Sequence, residues 1–181
     1  MSEPVPIDIE VSTPESMAAL GAHVARQLRA GDIVALDGPL GAGKTTFTRG
    51  LGGELGVRGT VSSPTFVLAR THPRTAGGAP LVHVDAYRLG SAAELDDLDI
   101  DFAESIVVVE WAAGMLAGLD DSVLRITIER PTGAGRGELV DNDNDNDSDG
   151  DTVDDEPIEA RVVRIEPLGD RWARRPFVAP V

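Results

Sequence analysis

An apolar run, "IVALD" at 33–37, leads directly into "GPLGAGKTT" at 38–46, and the residues beyond it can wind into a helix. In that order they satisfy G-x-x-x-x-G-K-[ST] with Gly38, Gly43, Lys44 and Thr45. This feature constrains the fold most, because such a loop works only where a buried parallel strand delivers it to a helix N-terminus. Glycines there admit positive φ and turn several backbone N–H groups onto one phosphate, and the helix end adds partial positive charge. The expected cradle comprises Gly38, Leu40, Gly41, Ala42, Gly43, Lys44, Thr45 and Thr46. Lys44 would reach the β- and γ-phosphates and the Thr45 hydroxyl would ligate Mg²⁺.

Lys44 is the sole lysine of the chain, so the guanine-reading N-K-x-D signature cannot be written elsewhere in it. ATP is therefore expected over GTP, by exclusion. A phosphate loop alone does not separate a kinase from an ATPase, since both need positioning and charge stabilisation at the γ-phosphate. The carboxylates must decide.

Asp85 ends the run "LVHVD" and Glu110 ends "IVVVE". Ligands of open α/β sheets collect at the carboxyl ends of strands, where the loop after "IVALD" also lies. Asp85 is assigned to Mg²⁺, directly or through water, and Glu110 to the attacking water with possible metal contact; polar residues merely closing two strands are the competing reading. His83 alternates with Asp85 and reads as a hydrogen-bonded core histidine, and Tyr87 as a structural aromatic. Arg88 suits a phosphate or a neighbouring carboxylate equally. "SSPTF" sets Ser63, Pro64 and Thr65 on a segment able to sense a γ-phosphate, as switch segments do, or on a proline-marked β edge.

Around these motifs the pattern is α/β. "PIDIEV" alternates like a strand, and "STPES" offers Ser or Thr as N-cap with Pro near the first helical position. Met17, Leu20, Val24 and Leu28 then form one apolar face, with Gly31 as the stop. "KTTFTRGLGGELG" predicts a helix whose glycines leave its far end doubtful. "TVSSPTFVLART" and "PLVHVDAYRL" read as strands of a hairpin, and "SAAELDDL" opens with a capping box, Ser91 and Glu94. "SIVVVEW" is a buried strand, followed by a short helix near "AAGMLAGL" and two strands, "SVLRITIER" and "EARVVRIEPL".

Taken jointly, "GPLGAGKTTFTRGL", "VSSPTFVL", "HVDAYRL" and "VVVEW" resemble the TsaE (YjeE-like) family, small bacterial ATPases of tRNA threonylcarbamoyladenosine synthesis. The resemblance runs from about "STPES" through "VEW" and more loosely to the last strands. It implies an α/β, P-loop NTPase-like three-layer fold, its central mostly parallel sheet extended by antiparallel strands. It also implies an ATPase, weak alone, that serves the TsaD and TsaB proteins. Their complex transfers threonylcarbamoyl from an AMP adduct to an adenosine beside the anticodon, and hydrolysis resets it between turnovers. By motif match, Lys44, Thr45, Asp85 and Glu110 take the phosphate, metal and catalytic roles. Trp111 is the family's aromatic after the acid, Thr65 lies on its switch-like loop, and Thr13 lies near the base. Contact with tRNA runs mainly through the partner complex. Two departures stand out: "AAG" at 112–114 follows the E-W pair, and Asp99 replaces a common glycine.

At 181 residues one domain spanning 1–181 is expected. The net charge of −15 arises mostly from residues 138–159, which hold eleven acids and no Lys or Arg, leaving −4 for the rest. No global field would draw in DNA or RNA, and "RWARR" at 171–175, the one compact basic patch, reads as a solvated tail. Within 141–156, Asp145, Asp147, Asp149, Gly150 and Glu156 fit a calcium-loop pattern, but the flanks are not helical, and a disordered solvated loop is the reading preferred. No run approaches the roughly eighteen apolar residues of a membrane span, the acidic N-terminus is unlike a signal peptide, and there is no Cys. These features predict a cytoplasmic protein.

Overall fold

The computed structural model describes residues 5–64, 66–115, 122–130 and 160–180. The acidic run 141–156 with its calcium-loop pattern, Thr65, and most of the helix expected near "AAGMLAGL" lie outside them; Ala112–Met115 form a turn.

Strands β1 (Ile7–Val11), β2 (Ile33–Asp37), β3 (Ala69–His72), β4 (Leu81–Asp85), β5 (Ile106–Glu110), β6 (Val123–Glu129) and β7 (Arg161–Leu168) join one sheet in the order β1-β7-β6-β2-β5-β4-β3. The central pairs β4–β5, β5–β2 and β2–β6 are parallel, and β3, β7 and β1 add to them antiparallel. Helices α1 (Pro14–Ala25) and α2 (Lys44–Leu55) cover one face, α3 (Ala92–Asp96) the other, and α4 (Asp170–Arg174) closes the first beside β7. The expected architecture is thus present.

Strand phase sorts the core. Val34 and Leu36 of β2, Ile106 and Val108 of β5, Ile126 and Ile128 of β6, and Val163 and Ile165 of β7 pack beneath α1 and α2. Ile33, Ala35, Val107 and Val109 face α3. Continuing the same alternation, Glu110 falls in phase with Ile106 and Val108, and Asp85 with Leu81, so both strand-end acids belong to the face that carries α2.

Several local expectations are corrected. The apolar face extended to Leu28 with Gly31 as stop, but α1 ends at Ala25: Gln27 and Leu28 N–H groups bond Val24 and Ala25 carbonyls, tightening the last turn early. The described residues of "TVSSPTFVL" are not strand: Val67 and Leu68 N–H groups both bond the Pro64 carbonyl and Leu68 takes φ 64°, and pairing with β4 starts only at Ala69. Ser91 caps α3, but Glu94 reaches back to the Gly90 N–H instead of that of Ser91. "RWARR" is no solvated tail. Trp172 is core, and the buried Arg171 guanidinium donates to Asp32 Oδ2 at 3.1 Å and to the Gln27 carbonyl at 2.8 Å, tying α4 to the entrance of β2. Asp99, where the resemblance implies a glycine, occupies a left-handed conformation, φ 52°, of the kind glycine adopts without strain.

Candidate nucleotide-binding site

The loop after β2 delivers its cradle to α2, whose N-cap is Gly43 at φ 111°. A Cβ there would also press on Met17 Cε at 3.3 Å, so both backbone and space call for glycine. The Gly43 N-cap brings no capping side chain, which leaves the first N–H groups of the helix available to an anion.

Two adjoining cavities surround this turn. One, about 210 Å³, is lined by Gly41–Thr46 together with Glu110. The other, about 230 Å³, shares Gly41–Gly43 and Thr46 and adds Thr13, Pro14 and Met17 from the start of α1 and Arg161 from β7. Thr13 is here for a local reason: it is the N-cap of α1, accepting from the Ser16 N–H at 3.0 Å while Ser16 Oγ accepts from the Thr13 N–H, with Pro14 at the first helical position. Leu40, by contrast, points outward, 88% exposed, and lines neither cavity.

Lys44 is buried and its ammonium folds back to donate to the Gly38 carbonyl at 2.7 Å and the Pro39 carbonyl at 3.1 Å. Its charge also lies 3.8 Å from the centroid of the Trp111 ring. Trp111 reaches that position because it adopts φ 59°, reversing the chain directly after β5, with its N–H bonded to the Leu36 carbonyl. Tyr87, expected as a structural aromatic, is corrected: it is largely exposed and packs edge-on against Trp111 at 5.2 Å, an outer layer of the site. Burial pushes the Lys44 pKa below its ordinary 10.5, opposed by the charges of Glu110, Asp85 and Asp37. Burial likewise raises the Asp37 carboxyl above its ordinary range, against hydrogen bonds from the N–H groups of Ala113 and Ala112.

Asp85 and Glu110 stand opposite each other in the β4–β5 register, both buried. Asp85 Oδ1 accepts from the Tyr87 N–H at 3.0 Å. Glu110 Oε1 lies 2.8 Å from Nε2 of His83, which is fully buried. On the other side of the ring Nδ1 is buried without a hydrogen-bond partner among the described residues. His83 is therefore the hydrogen-bonded core histidine expected, with a site carboxylate as its partner. Hydroxyl and carboxylate oxygens from Thr45, Asp85 and Glu110 are hard donors of the kind Mg²⁺ prefers. Among the described residues no three His, Asp or Glu side chains are set to enclose a metal alone, so phosphate oxygens and water would complete the shell.

Two residues escaped the sequence reading. Arg130 Nη2 donates to the Gly41 carbonyl at 3.1 Å, and Arg161 enters the second cavity. Their signal was phase: Arg130 alternates with Ile126 and Ile128, and Arg161 with Val163 and Ile165, which aims both at the α2 face.

Residues 11–137 match the family described as Threonylcarbamoyl adenosine biosynthesis protein TsaE. The chain is 49% identical over 160 residues to the tRNA threonylcarbamoyladenosine biosynthesis protein TsaE of Streptomyces coelicolor, covering 87% of this chain and 94% of that one. It is 38% identical over 118 residues to the protein of that name from Bacillus subtilis, covering 65% and 73%. Among solved structures, that of Bacillus subtilis YdiB superposes with a TM-score of 0.65 at 27% identity, over 96% of this chain and 93% of the other. A family match over residues 11–137 and a relative aligned over 87% of this chain and 94% of its own length agree: the chain belongs to the TsaE family.

Proposed function

We propose that this chain is a Mg²⁺-dependent ATPase that supports tRNA threonylcarbamoyladenosine formation by acting on a TsaB–TsaD complex. Family membership supports the pathway. One observation carries the chemistry: strand phase gathers Glu110 and Asp85 around the buried ammonium of Lys44, on the face where the glycine loop opens.

In this reading the loop N–H groups from Gly41 to Thr46 receive the phosphates, and Lys44 leaves the Gly38 and Pro39 carbonyls to neutralise the β- and γ-phosphoryl oxygens. Thr45 and Asp85, with Glu110 adjacent, would hold Mg²⁺, which would supply positive charge against the phosphates and the charge developing on them. Glu110 orients the attacking water, its carboxylate fixed by His83. Trp111 screens Lys44 from solvent. Thr13 bounds the cavity that would take the nucleoside. The segments framing the loop also bear exposed apolar side chains, Leu40, Phe66, Val67 and Tyr87, which suits a site completed by a protein partner.

The test is ATP turnover with and without TsaB, TsaD and tRNA. Stimulation by the complex is expected, Lys44→Ala abolishing nucleotide binding and Glu110→Gln keeping ATP but losing hydrolysis. Unchanged turnover in Glu110→Gln would point to a non-hydrolysing binding module, and phosphate recovered on an acceptor other than water to a kinase. A TsaB–TsaD pair that neither binds the chain nor needs it for repeated modification would overturn the partner assignment.

A further inference from the structure

We propose that the cavity between Arg29 and α4 is an RNA-backbone site, at which guanidinium groups take phosphodiester oxygens of the tRNA directly. The choice of RNA rests on the proposed pathway role; the charge of the cavity does not.

This cavity, about 470 Å³, is lined by Arg29, Asp170, Arg171, Arg174 and Arg175. Strand direction sets it apart from the nucleotide loop. Arg29 stands shortly before β2, and α4 follows the end of β7, which runs antiparallel to β6 and so to β2. The glycine loop leaves the opposite end of β2, so the eight residues of β7 hold the two places roughly 20–25 Å apart. Asp32 builds the back wall: its Oδ2 accepts from the Arg29 N–H at 2.8 Å and from Arg171 Nη2 at 3.1 Å, and its Oδ1 from the Ser122 hydroxyl. Arg171 is 7% exposed and lies 4.0 Å from the centre of the Trp172 ring, yet its donors are not spent. Nη2 serves Asp32 and the Gln27 carbonyl, Nη1 makes one long bond to the Arg175 carbonyl at 3.4 Å, and Nε is buried with no partner among the described residues. A buried guanidinium with donors to spare, on a cavity wall, calls for an acceptor from outside.

Charge makes that acceptor an anion. Arg29 and Arg175 are exposed, and no carboxylate pairs with either among the described residues. Asp170 meets Arg174 at 3.4 Å on the surface, a pair worth little. Four guanidiniums against Asp170 and Asp32 leave an excess of two positive charges, in a chain whose net charge is −15. The form of the site selects a backbone. No aromatic side chain lines it, so a base has nothing to stack on, and three of its four arginines are exposed, able to follow phosphates spaced along a strand. Planar guanidinium forks match phosphodiester oxygens two at a time. Contact of this kind positions an RNA without reading its sequence.

Fluorescence anisotropy of labelled tRNA with the full chain, over a series of salt concentrations, tests this. The double variant Arg29→Gln with Arg175→Gln should weaken tRNA about tenfold at low salt and lower the log–log salt slope by about 1.5. Asp170→Asn, which frees Arg174, should tighten tRNA about threefold, and it keeps the comparison if the double variant does not fold. An unrelated RNA of the same length should bind as well as tRNA, and saturating ATP should leave both bound. ATP affinity itself should be the same in wild type and variants. A double variant with the wild-type slope, an Asp170→Asn chain that binds no better, or tRNA displaced by ATP would overturn the assignment. So would inorganic phosphate, or polyglutamate of equal charge, competing as well as RNA does, since these mark a small-anion site or an acidic protein partner. Failure of the pathway role looks different: repeated modification by TsaB–TsaD would proceed without the chain while arginine-dependent RNA binding remained.

Discussion

Gly50 and Gly53 lie one turn apart on α2, and replacing each by alanine should move stability in opposite directions. A Cβ at Gly50 would sit 2.0 Å from the Ala18 carbonyl oxygen and 2.6 Å from its carbon, both backbone atoms of α1. Ordinary contact begins near about 3.5 Å, so the helices would have to part by more than about 1 Å. Buried Met17, Leu20 and Val24 on one helix and Phe47, Leu51 and Leu55 on the other lie in the same core cluster and would lose contact together. Overpacking of this kind costs about 1–3 kcal/mol, and rigid backbone on both sides puts Gly50→Ala at the upper end. Alanine returns about 1 kcal/mol through helix propensity, leaving a net loss of about 2 kcal/mol. At Gly53 nothing lies within 4 Å, and Gly53→Ala should keep the whole gain, about 0.5–1 kcal/mol. Urea unfolding reads both as shifts of the midpoint at constant slope. If Gly50→Ala proved as stable as wild type, the close approach of α1 to α2 would be wrong, and with it the contact of Met17 on the loop at Gly43.

Other outcomes follow from single contacts. Asp32→Ala strands the buried Arg171 guanidinium and should cost about 3–5 kcal/mol in urea unfolding, whereas the double replacement Asp32→Leu with Arg171→Met should recover most of it. Thr13→Ala removes the cap of α1 for about 1 kcal/mol, and Thr13→Ser should restore it, read as the thermal midpoint. Because burial lowers the Lys44 pKa, the free chain loses that proton below pH 10.5, and phosphate, which favours the ammonium, should raise the pKa again. ATP affinity should therefore fall as pH rises through the lowered pKa, with proton uptake on binding there, measured by calorimetry in two buffers of different ionisation heat. In the same window the unfolded chain holds more protons than the folded one, so the contribution of Lys44 to stability rises with pH.

What the sequence disclosed depended on the range of each interaction. The β2 loop, the β5 strand and the cap of α1 are local patterns, and they could be read directly. Leu28 misled because it keeps a helical spacing after the backbone has already tightened past Ala25. "RWARR" misled because the partner that buries Arg171 is Asp32, 139 residues away. Phe66 and Val67 are apolar enough for a strand, yet a turn at Pro64 leaves both exposed. The two site arginines needed a topological fact as well as phase. Only when β6 and β7 lie between β1 and β2 does an outward alternation at Arg130 and Arg161 become an approach to the nucleotide loop.

That strand order also polarises the site. β2 carries the glycine loop between β5 on one side and β6 on the other. Toward β5 and β4 the strand ends supply carboxylates, Glu110 and Asp85; toward β6 and β7 they supply guanidiniums, Arg130 and Arg161. A polyphosphate lying along the loop would meet acids, and so a place for a cation, only at the end where Lys44 and Glu110 stand. At the other end it would meet Arg161, which no carboxylate pairs among the described residues, in a cavity under α1 otherwise lined by uncharged residues. Under the proposed function, opposite charge preferences at the two ends would fix one direction for the ligand, terminal phosphate toward β5 and nucleoside toward α1. Reversal would set the terminal phosphates against Thr13 and Met17 and leave Glu110 and Asp85 facing a sugar, with nothing for either carboxylate to hold.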